Sequence, residues 1–315
     1  MNKIPLVVIT GPTASGKTDL AIQVAQQLNG EIISADSMQI YRYMDIGTAK
    51  PAMHERRGIL HHMIDIRNPD EEFNVSLFQK LTTDIIRQIT ERGKLPILAG
   101  GTGFYINSII YPMNFTDAVE DPEYRSQLNE MLNQHGATWL HNHLRRVDPD
   151  SAQRLHPNDT RRVIRAMEVL HLTGKTMEAY RQNFDDLESP YSARMYGLSM
   201  DRQLLYDRIN LRVDRMIESG LINEVKSILE KGYSRNLVSM QGLGYKEIID
   251  HLKGLSTQEE CINILKRNTR RFAKRQIAWF KREEQIIWLD PIEMGNLKAV
   301  RDWLITDIGK ILLSN

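Results

Sequence analysis

The sequence predicts an α/β fold: a P-loop NTPase-like parallel sheet flanked by helices, interrupted by an inserted all-helical subdomain. Three observations predict it. Gly11-Pro12-Thr13-Ala14-Ser15-Gly16-Lys17-Thr18 keeps the G-x-x-x-x-G-K-[ST] spacing, between an apolar run, Ile4 to Ile9, and an amphipathic stretch, Asp19 to Leu28. Further short apolar runs end in glycine-rich or polar turns and alternate with helical patterns, as a parallel sheet requires. From about Tyr111 to Tyr191 the strand-like runs vanish and punctuated helical pieces replace them. Residues 1–111 with 194–315 therefore read as the α/β core, and 112–193 as the insertion.

The opening loop carries the first chemistry. Its backbone N–H groups and those of the first helical turn face inward, where a polyphosphate accepts their hydrogen bonds. Lys17 adds a point charge, and the Thr18 hydroxyl stands where it can hold Mg²⁺. The loop predicts a bound diphosphate or triphosphate without choosing between them.

Composition narrows the rest. With 315 residues, 41% hydrophobic and 26% charged, the chain has ample material for a soluble core. Cys261 is the single cysteine, which leaves neither a disulfide framework nor a thiolate metal site and fits a reducing cytoplasm. It reads as buried filler rather than a nucleophile. The first strand begins almost at Met1, leaving no room for a signal peptide, and no apolar run approaches a membrane span. Net charge is only +1, so any nucleic-acid surface must come from segregated charge.

In chain order, the first helix closes at Asn29-Gly30. A strand from Glu31 to Ala35 then delivers Asp36-Ser37-Met38-Gln39 at its carboxyl end. Ligands of open parallel sheets sit outside the carboxyl ends of the strands, so Asp36 should face the crevice of the P-loop. There it could ligate Mg²⁺, act as a general base or cap the next turn. Gly47-Thr48-Ala49-Lys50-Pro51 reads as a loop, and His61 to Ile66 as a short strand. His61 and His62 point to opposite faces of such a strand and lack further ligands, so they read as structural. Asn74 caps a helix from about Val75 to Glu91, ended by Gly93. Pro96 to Ala99 is the next buried strand. It runs into Gly100-Gly101-Thr102-Gly103, where backbone can approach a ligand and Thr102 can hydrogen-bond in the crevice.

In the insertion, Asp121-Pro122 opens a helix that stops near Gly136. A second helix, Thr160 to about Leu172, carries Arg161, Arg162 and Arg165 and closes at Gly174. The core resumes with a strand from Met195 to Met200. Asp201 then caps a helix bearing Arg208, Arg212 and Arg215, of which Arg208 and Arg212 could reach a phosphate or pair with Asp207 and Asp214. Gln241-Gly242-Leu243-Gly244-Tyr245-Lys246 is a third glycine-rich turn. Lys266 to Arg282 has eight basic residues and no acidic one. Leu265, Phe272, Gln276 and Trp279 form its packed stripe, while Arg267, Arg271, Lys274 and Arg275 project elsewhere, the pattern of a helix that meets a nucleic-acid backbone. Ile286 to Leu289 is a last strand, and Leu297 to Leu312 a terminal helix.

Three functions fit these residues: a small-molecule kinase, an NTPase acting on nucleic acid, or a transferase whose P-loop holds the diphosphate of another donor. No apolar strand in the first hundred residues ends in the acid that positions Mg²⁺ for hydrolysis, which counts against an NTPase. A small metabolite gives the basic helix nothing to hold, which counts against a kinase. The balance leans to the transferase.

The motifs together resemble the tRNA dimethylallyltransferase (IPP transferase) family. They are GPTASGKT at Gly11–Thr18, ISADSMQIYRYMDIGTAKP at Ile33–Pro51, HHMIDI at His61–Ile66, GGTGFY at Gly100–Tyr105, HPNDTRRVIRAMEV at His156–Val169, GLGYKE at Gly242–Glu247 and KRQIAWFKR at Lys274–Arg282. They follow in order along nearly the whole chain. The resemblance implies transfer of a dimethylallyl group from its diphosphate to the N6 amine of the adenosine 3′-adjacent to the anticodon. The closest alternative chemistry prenylates free adenine nucleotides.

On that resemblance, Gly11, Thr13, Ala14, Ser15, Gly16, Lys17 and Thr18 would wrap the diphosphate, with Arg212 as a second clamp and Mg²⁺ held at Thr18. Asp36 would take the amine proton, helped by Thr102. The flipped adenosine would meet Asp36, Ser37, Met38, Gln39 and Thr102. The anticodon stem-loop would meet Arg125, Arg161, Arg162, Arg165, Gln241, Gly242, Gly244, Tyr245, Lys246, Arg271 and Arg275. The partners implied are tRNA and dimethylallyl diphosphate, and the expected setting is a cytoplasmic monomer off the membrane.

Overall fold

A computed structural model describes residues 3–111, 113, 115, 121–177, 179 and 188–314. Its chain clusters into two compact units, 1–110 with 190–315, and 111–189. The first is built on a parallel sheet of β1 (Ile4–Thr10), β2 (Gly30–Ala35), β3 (His61–His62), β4 (Leu95–Gly100), β5 (Tyr191–Leu198) and β6 (Ile286–Leu289), in the spatial order β3-β2-β4-β1-β5-β6. β1 is central, with Val7 opposite Ile97 on one side and Val8 opposite Met195 on the other. Leu6 to Ile9 are all buried, the continuous apolar run of a strand covered on both faces.

Alternation sends Val7 and Ile9 to one face. There they pack with Leu20 and Val24 of α1 (Lys17–Gln27) and Val300, Leu304 and Ile308 of α12 (Leu297–Ser314). α2 (Val75–Glu91) and α3 (Gly103–Ile110) also pack on β4, burying Phe78, Ile86, Ile106 and Ile109. A second core joins the segment after β2 to α8 (Arg202–Glu218), α9 (Leu221–Glu230), α10 (Tyr245–Leu252) and α11 (Gln258–Phe280) through Ile40, Met44, Val213, Val225, Ile248 and Leu265. Cys261 is buried in it, and burial pushes its thiol up to about 11.

Cap residues end up where the sequence puts them. Asn74 accepts from Leu77 N–H, Asp121 from Tyr124 N–H, and Asp201 from Gln203 and Leu204 N–H. Other boundaries move. The strand read from Met195 begins at Tyr191, because Tyr191 to Arg194 already pair with Ile4 to Val7. The strand read from His61 to Ile66 stops at His62, since Met63 and Asp65 take positive φ. The basic helix begins earlier, at Gln258, behind a Thr257–Glu260 capping box.

The second unit is helical among its described residues: α4 (Pro122–His135), α5 (Ala137–Val147), α6 (Pro149–Arg154) and α7 (Thr160–Thr173). Leu128, Leu140, Leu144, Val163 and Met167 form its core. Pro112, where the insertion was read to begin, lies outside the described residues.

Candidate phosphate and transfer site

The site grows from the carboxyl ends of β1, β2 and β4. The loop after β1 folds tightly: Ala14 sits at φ +65, and Ser15 N–H donates to the Pro12 carbonyl at 3.3 Å. A side chain on Gly11 would meet the Leu198 carbonyl oxygen at 3.0 Å, so glycine is required there for closeness. Two cavities flank the loop. A cleft of about 1230 Å³ is lined by Ala14, Gly16, Lys17 and Thr18 of the loop with Arg208, Arg212 and Arg215 of α8. A cavity of about 70 Å³ is lined by Thr13, Lys17, Thr18, Asp36, Arg212 and Gln276, among others. Lys17, Thr18 and Arg212 form the wall between them.

That wall is electrically loaded. Burial and the Arg212 guanidinium lower the Lys17 ammonium to about 8, against the pull of Asp36. Burial likewise lowers Arg212 while Asp36 raises it. Two half-buried cations held together favour an anion beside them, and Asp36 supplies one of the charges a diphosphate would complete.

Asp36 stands one residue past β2. Its Oδ1 accepts from Met38 N–H at 2.9 Å, so one oxygen shapes the turn. No described residue hydrogen-bonds the other. The neighbouring turn is locked to it: Thr102 Oγ1 accepts from Ser37 N–H at 3.1 Å, and Thr102 N–H donates to the Ala35 carbonyl. Thr102 therefore fixes the backbone that aims the carboxylate. Gln39 lines the small cavity but is braced, accepting from Ser34 Oγ and donating to the Thr48 and Ala49 carbonyls.

Several residues read as ligand contacts are engaged within the protein or lie off these two cavities. Gly11 and Ser15 line neither of these two cavities, and the Ser15 hydroxyl is buried. Thr13 N–H is held by Gln276 Oε1 at 2.9 Å, so it is committed inside the protein. Tyr245 is fully buried, its hydroxyl 2.6 Å from Glu224 and its ring against Gly47, so it offers no face to a nucleic acid. Gly244 is buried beside it, and Gly242 packs against Met38. Gln241 and Lys246 keep exposed side chains.

In the helical unit, Arg125 and Arg165 both bind Glu168, whose carboxylate is wholly buried. Burial would raise that carboxyl, but bonds from the two arginines and Asp121 N–H lower it. Those arginines hold the unit together. Arg161 and Arg162 stay exposed, Arg162 at 3.4 Å from Asp159.

On α11, Arg267, Arg271, Lys274 and Arg275 are exposed, as their helical positions require. The acids absent from that run are partly supplied by α8, where Asp214 pairs with Lys266 at 2.6 Å. Sequence reading missed Gln276, which donates to the Gly101 carbonyl while accepting from Thr13 and so ties α11 to both glycine turns. Its signal was there: a polar residue on a packed stripe must find partners. His62 is structural, paired to buried Glu31 at 2.7 Å. His61 donates from Nδ1 to the Ile59 carbonyl and presents its ring to the small cavity.

A metal would find few protein ligands here. Among the described residues no group of three His, Cys, Asp or Glu could hold one. Thr18 and Asp36 on one cavity do fit a Mg²⁺ that keeps its waters and is carried mainly by phosphate oxygens.

A glycine-rich G-x-x-x-x-G-K-[ST] loop at the end of a central strand, in a parallel sheet flanked by helices, defines the class: an α/β protein of P-loop-like fold. Comparison with known proteins specifies it. A family model described as IPP transferase matches residues 39–283. A tRNA dimethylallyltransferase of Alkaliphilus oremlandii is 51% identical over 302 residues, 96% of each chain. One from Desulforudis audaxviator is 54% identical over 291 residues, 92% of this chain and 93% of its own. The crystal structure of a full-length tRNA isopentenylpyrophosphate transferase from Bacillus halodurans matches with TM-score 0.72 and 45% identity, over 98% of this chain and 99% of that one. A eukaryotic dimethylallyltransferase, from crystallographic snapshots of its action on tRNA, matches with TM-score 0.77 and 31% identity, over 91% of this chain and 74% of that one. The chain belongs to the IPP transferase family.

Proposed function

We infer that the protein transfers a dimethylallyl group from dimethylallyl diphosphate to the N6 amine of the adenosine 3′-adjacent to the anticodon in tRNA. The observation that carries this reading is the meeting of Lys17, Thr18, Arg212 and the Asp36 carboxylate on one small cavity beside the P-loop. Relatives about half identical over nearly the whole chain bear the name of that activity, which supports it.

The roles follow from charge. Lys17 and Arg212 hold the diphosphate from two sides, and the N–H groups around Gly16 complete the cradle. When bound, Mg²⁺ at Thr18 supplies neutralisation of the leaving group's charge. The donor C1–O bond breaks toward the diphosphate as C1 bonds to the amine nitrogen. An exocyclic adenine amine is a weak nucleophile, since its lone pair is delocalised into the ring. Asp36 accepts a hydrogen bond from it and takes the proton as the C–N bond forms. Thr102 keeps Asp36 aimed through Ser37. The adenosine leaves its stack to reach the cavity. Arg271 and Arg275 of α11, with Gln241 and Lys246, meet the RNA backbone, and Arg161 and Arg162 serve it from the helical unit. We place this enzyme in the cytoplasm as a monomer.

The test is transfer of radiolabelled dimethylallyl diphosphate, with Mg²⁺, into three acceptors. They are an unmodified tRNA with adenosine 3′ of the anticodon, the same tRNA with guanosine there, and AMP. Label in the first alone is the expected result. Label in AMP would move the assignment to a nucleotide prenyltransferase, and label in none would overturn both.

A further inference from the structure

The small cavity beside the P-loop has a charged side and an apolar side. Lys17, Thr18 and Arg212 make the charged side and are shared with the wide cleft, whereas Asp36 lines only the small cavity of the two. On the transfer reading, the donor's C1 is bonded to a diphosphate oxygen at the charged side and must reach an amine held by Asp36. Its carbons therefore lie on the Asp36 side, in the cavity of about 70 Å³ and not in the cleft of about 1230 Å³. A hydrocarbon group there needs an apolar surface to leave water for.

Phe272 offers the largest one. Among the described residues that line this cavity it is the one aromatic, and Ile32, the next in size, is 3% exposed and packed into the core under α1. The phenyl is half-buried on α11, and its place is fixed. One turn later Gln276 is bonded to Thr13 N–H and to the Gly101 carbonyl, and Ala273 between them is wholly buried. Side chains four apart share a helix face, so Phe272 and Gln276 meet the cavity together. The Arg275 guanidinium lies 5.7 Å over the phenyl ring and steadies it.

We propose that Phe272 is the wall against which the donor's dimethylallyl carbons pack, and that its bulk limits the length of prenyl chain accepted. The inference rests on the transfer reading above. A five-carbon group rests against the ring, and a ten-carbon chain would have to displace it. A ring held by an anchored helix does not yield as a loose side chain does. One methylene more or less in such a pocket changes discrimination about 10- to 200-fold.

The test measures transfer into an unmodified tRNA from dimethylallyl diphosphate and from geranyl diphosphate, its ten-carbon homologue. It compares wild type with Phe272→Ala, Phe272→Leu and Phe272→Trp. Wild type should favour the five-carbon donor by about 100-fold or more in kcat/KM. Phe272→Ala should lose about 10- to 100-fold on that donor and gain on geranyl diphosphate, so the preference collapses. Phe272→Leu should fall between, and Phe272→Trp should weaken the five-carbon donor while sharpening the preference. Inhibition by inorganic diphosphate should be the same throughout, because Lys17 and Arg212 hold it. A preference that every variant keeps, with both donors slowed alike, would overturn the wall and leave the transfer reading standing. A Phe272→Ala protein whose KM rises for tRNA alone would also overturn it, by assigning the ring to the base. Wild-type protein that transferred neither group would remove the transfer reading and the wall with it.

Discussion

Replacing Lys17 with methionine is expected to stabilise the protein while disabling it. Burial and the facing Arg212 hold the Lys17 ammonium at about 8, below its ordinary 10.5, against the attraction of Asp36. At about 1.4 kcal/mol per pH unit, the charged side chain costs the fold roughly 3 kcal/mol at neutral pH. Lys17 keeps some exposure, and its 3.2 Å bond to the Pro12 carbonyl would be lost. The net gain should therefore be about 1–2 kcal/mol. The folded chain releases this proton near 8, the unfolded chain only near 10.5. Between those values the unfolded chain binds more protons, so wild-type stability rises with pH there. The advantage of the variant should be largest at neutral pH and shrink by about pH 10. Urea unfolding without donor, at neutral and alkaline pH, measures it. A variant less stable than wild type at neutral pH, or a gap that ignores pH, would refute the reasoning. Calorimetric titration with dimethylallyl diphosphate should show proton uptake above pH 8 for wild type and no binding for the variant.

Three further outcomes follow from contacts described above. Burial would raise the Glu31 carboxyl, but bonds from His62, Arg92 and Lys94 hold it at about 2. Glu31→Gln should cost about 2–3 kcal/mol, less than a wholly buried pair, because Arg92 and Lys94 touch water. That contribution is complete above 4.5 and is lost as pH falls through about 2, so acid unfolding of the two proteins should converge there. Tyr245→Phe removes the bond to Glu224 and should lower stability by about 1–2 kcal/mol in thermal unfolding, with RNA affinity intact. Asp36→Asn should keep donor affinity but slow single-turnover transfer about 10²- to 10⁴-fold; a near-normal rate would take Asp36 out of the proton-accepting role.

Local signals were legible in the sequence and distant pairings were not. The P-loop spacing, the Asn74, Asp121 and Asp201 caps and the placement of Asp36 at a strand's end all depend on residues a few positions apart. The turn at Thr102 was legible too, because glycine clusters mark close backbone approach. What could not be read was which polar groups meet across the fold. Thr13 and Gln276 are 263 positions apart, and no pattern near either names the other. Tyr245 looked like a surface aromatic beside a lysine, but the missing side chain at Gly47 makes the slot that buries it. Arg125 and Arg165 looked like free cations until Glu168 drew them together from the interior.

The Gln276 amide also limits how the chain can be recombined. It accepts from Thr13 and donates to Gly101, so only one orientation of the group satisfies both turns. Glutamate would set a second acceptor against the Gly101 carbonyl, and leucine would strand both backbone groups. The basic helix and the loop after β1 are therefore coupled through this one side chain. A chimaera that imports a relative's helix must bring a glutamine in the same register, or the glycine turns at Thr13 and Gly101 change shape with the graft.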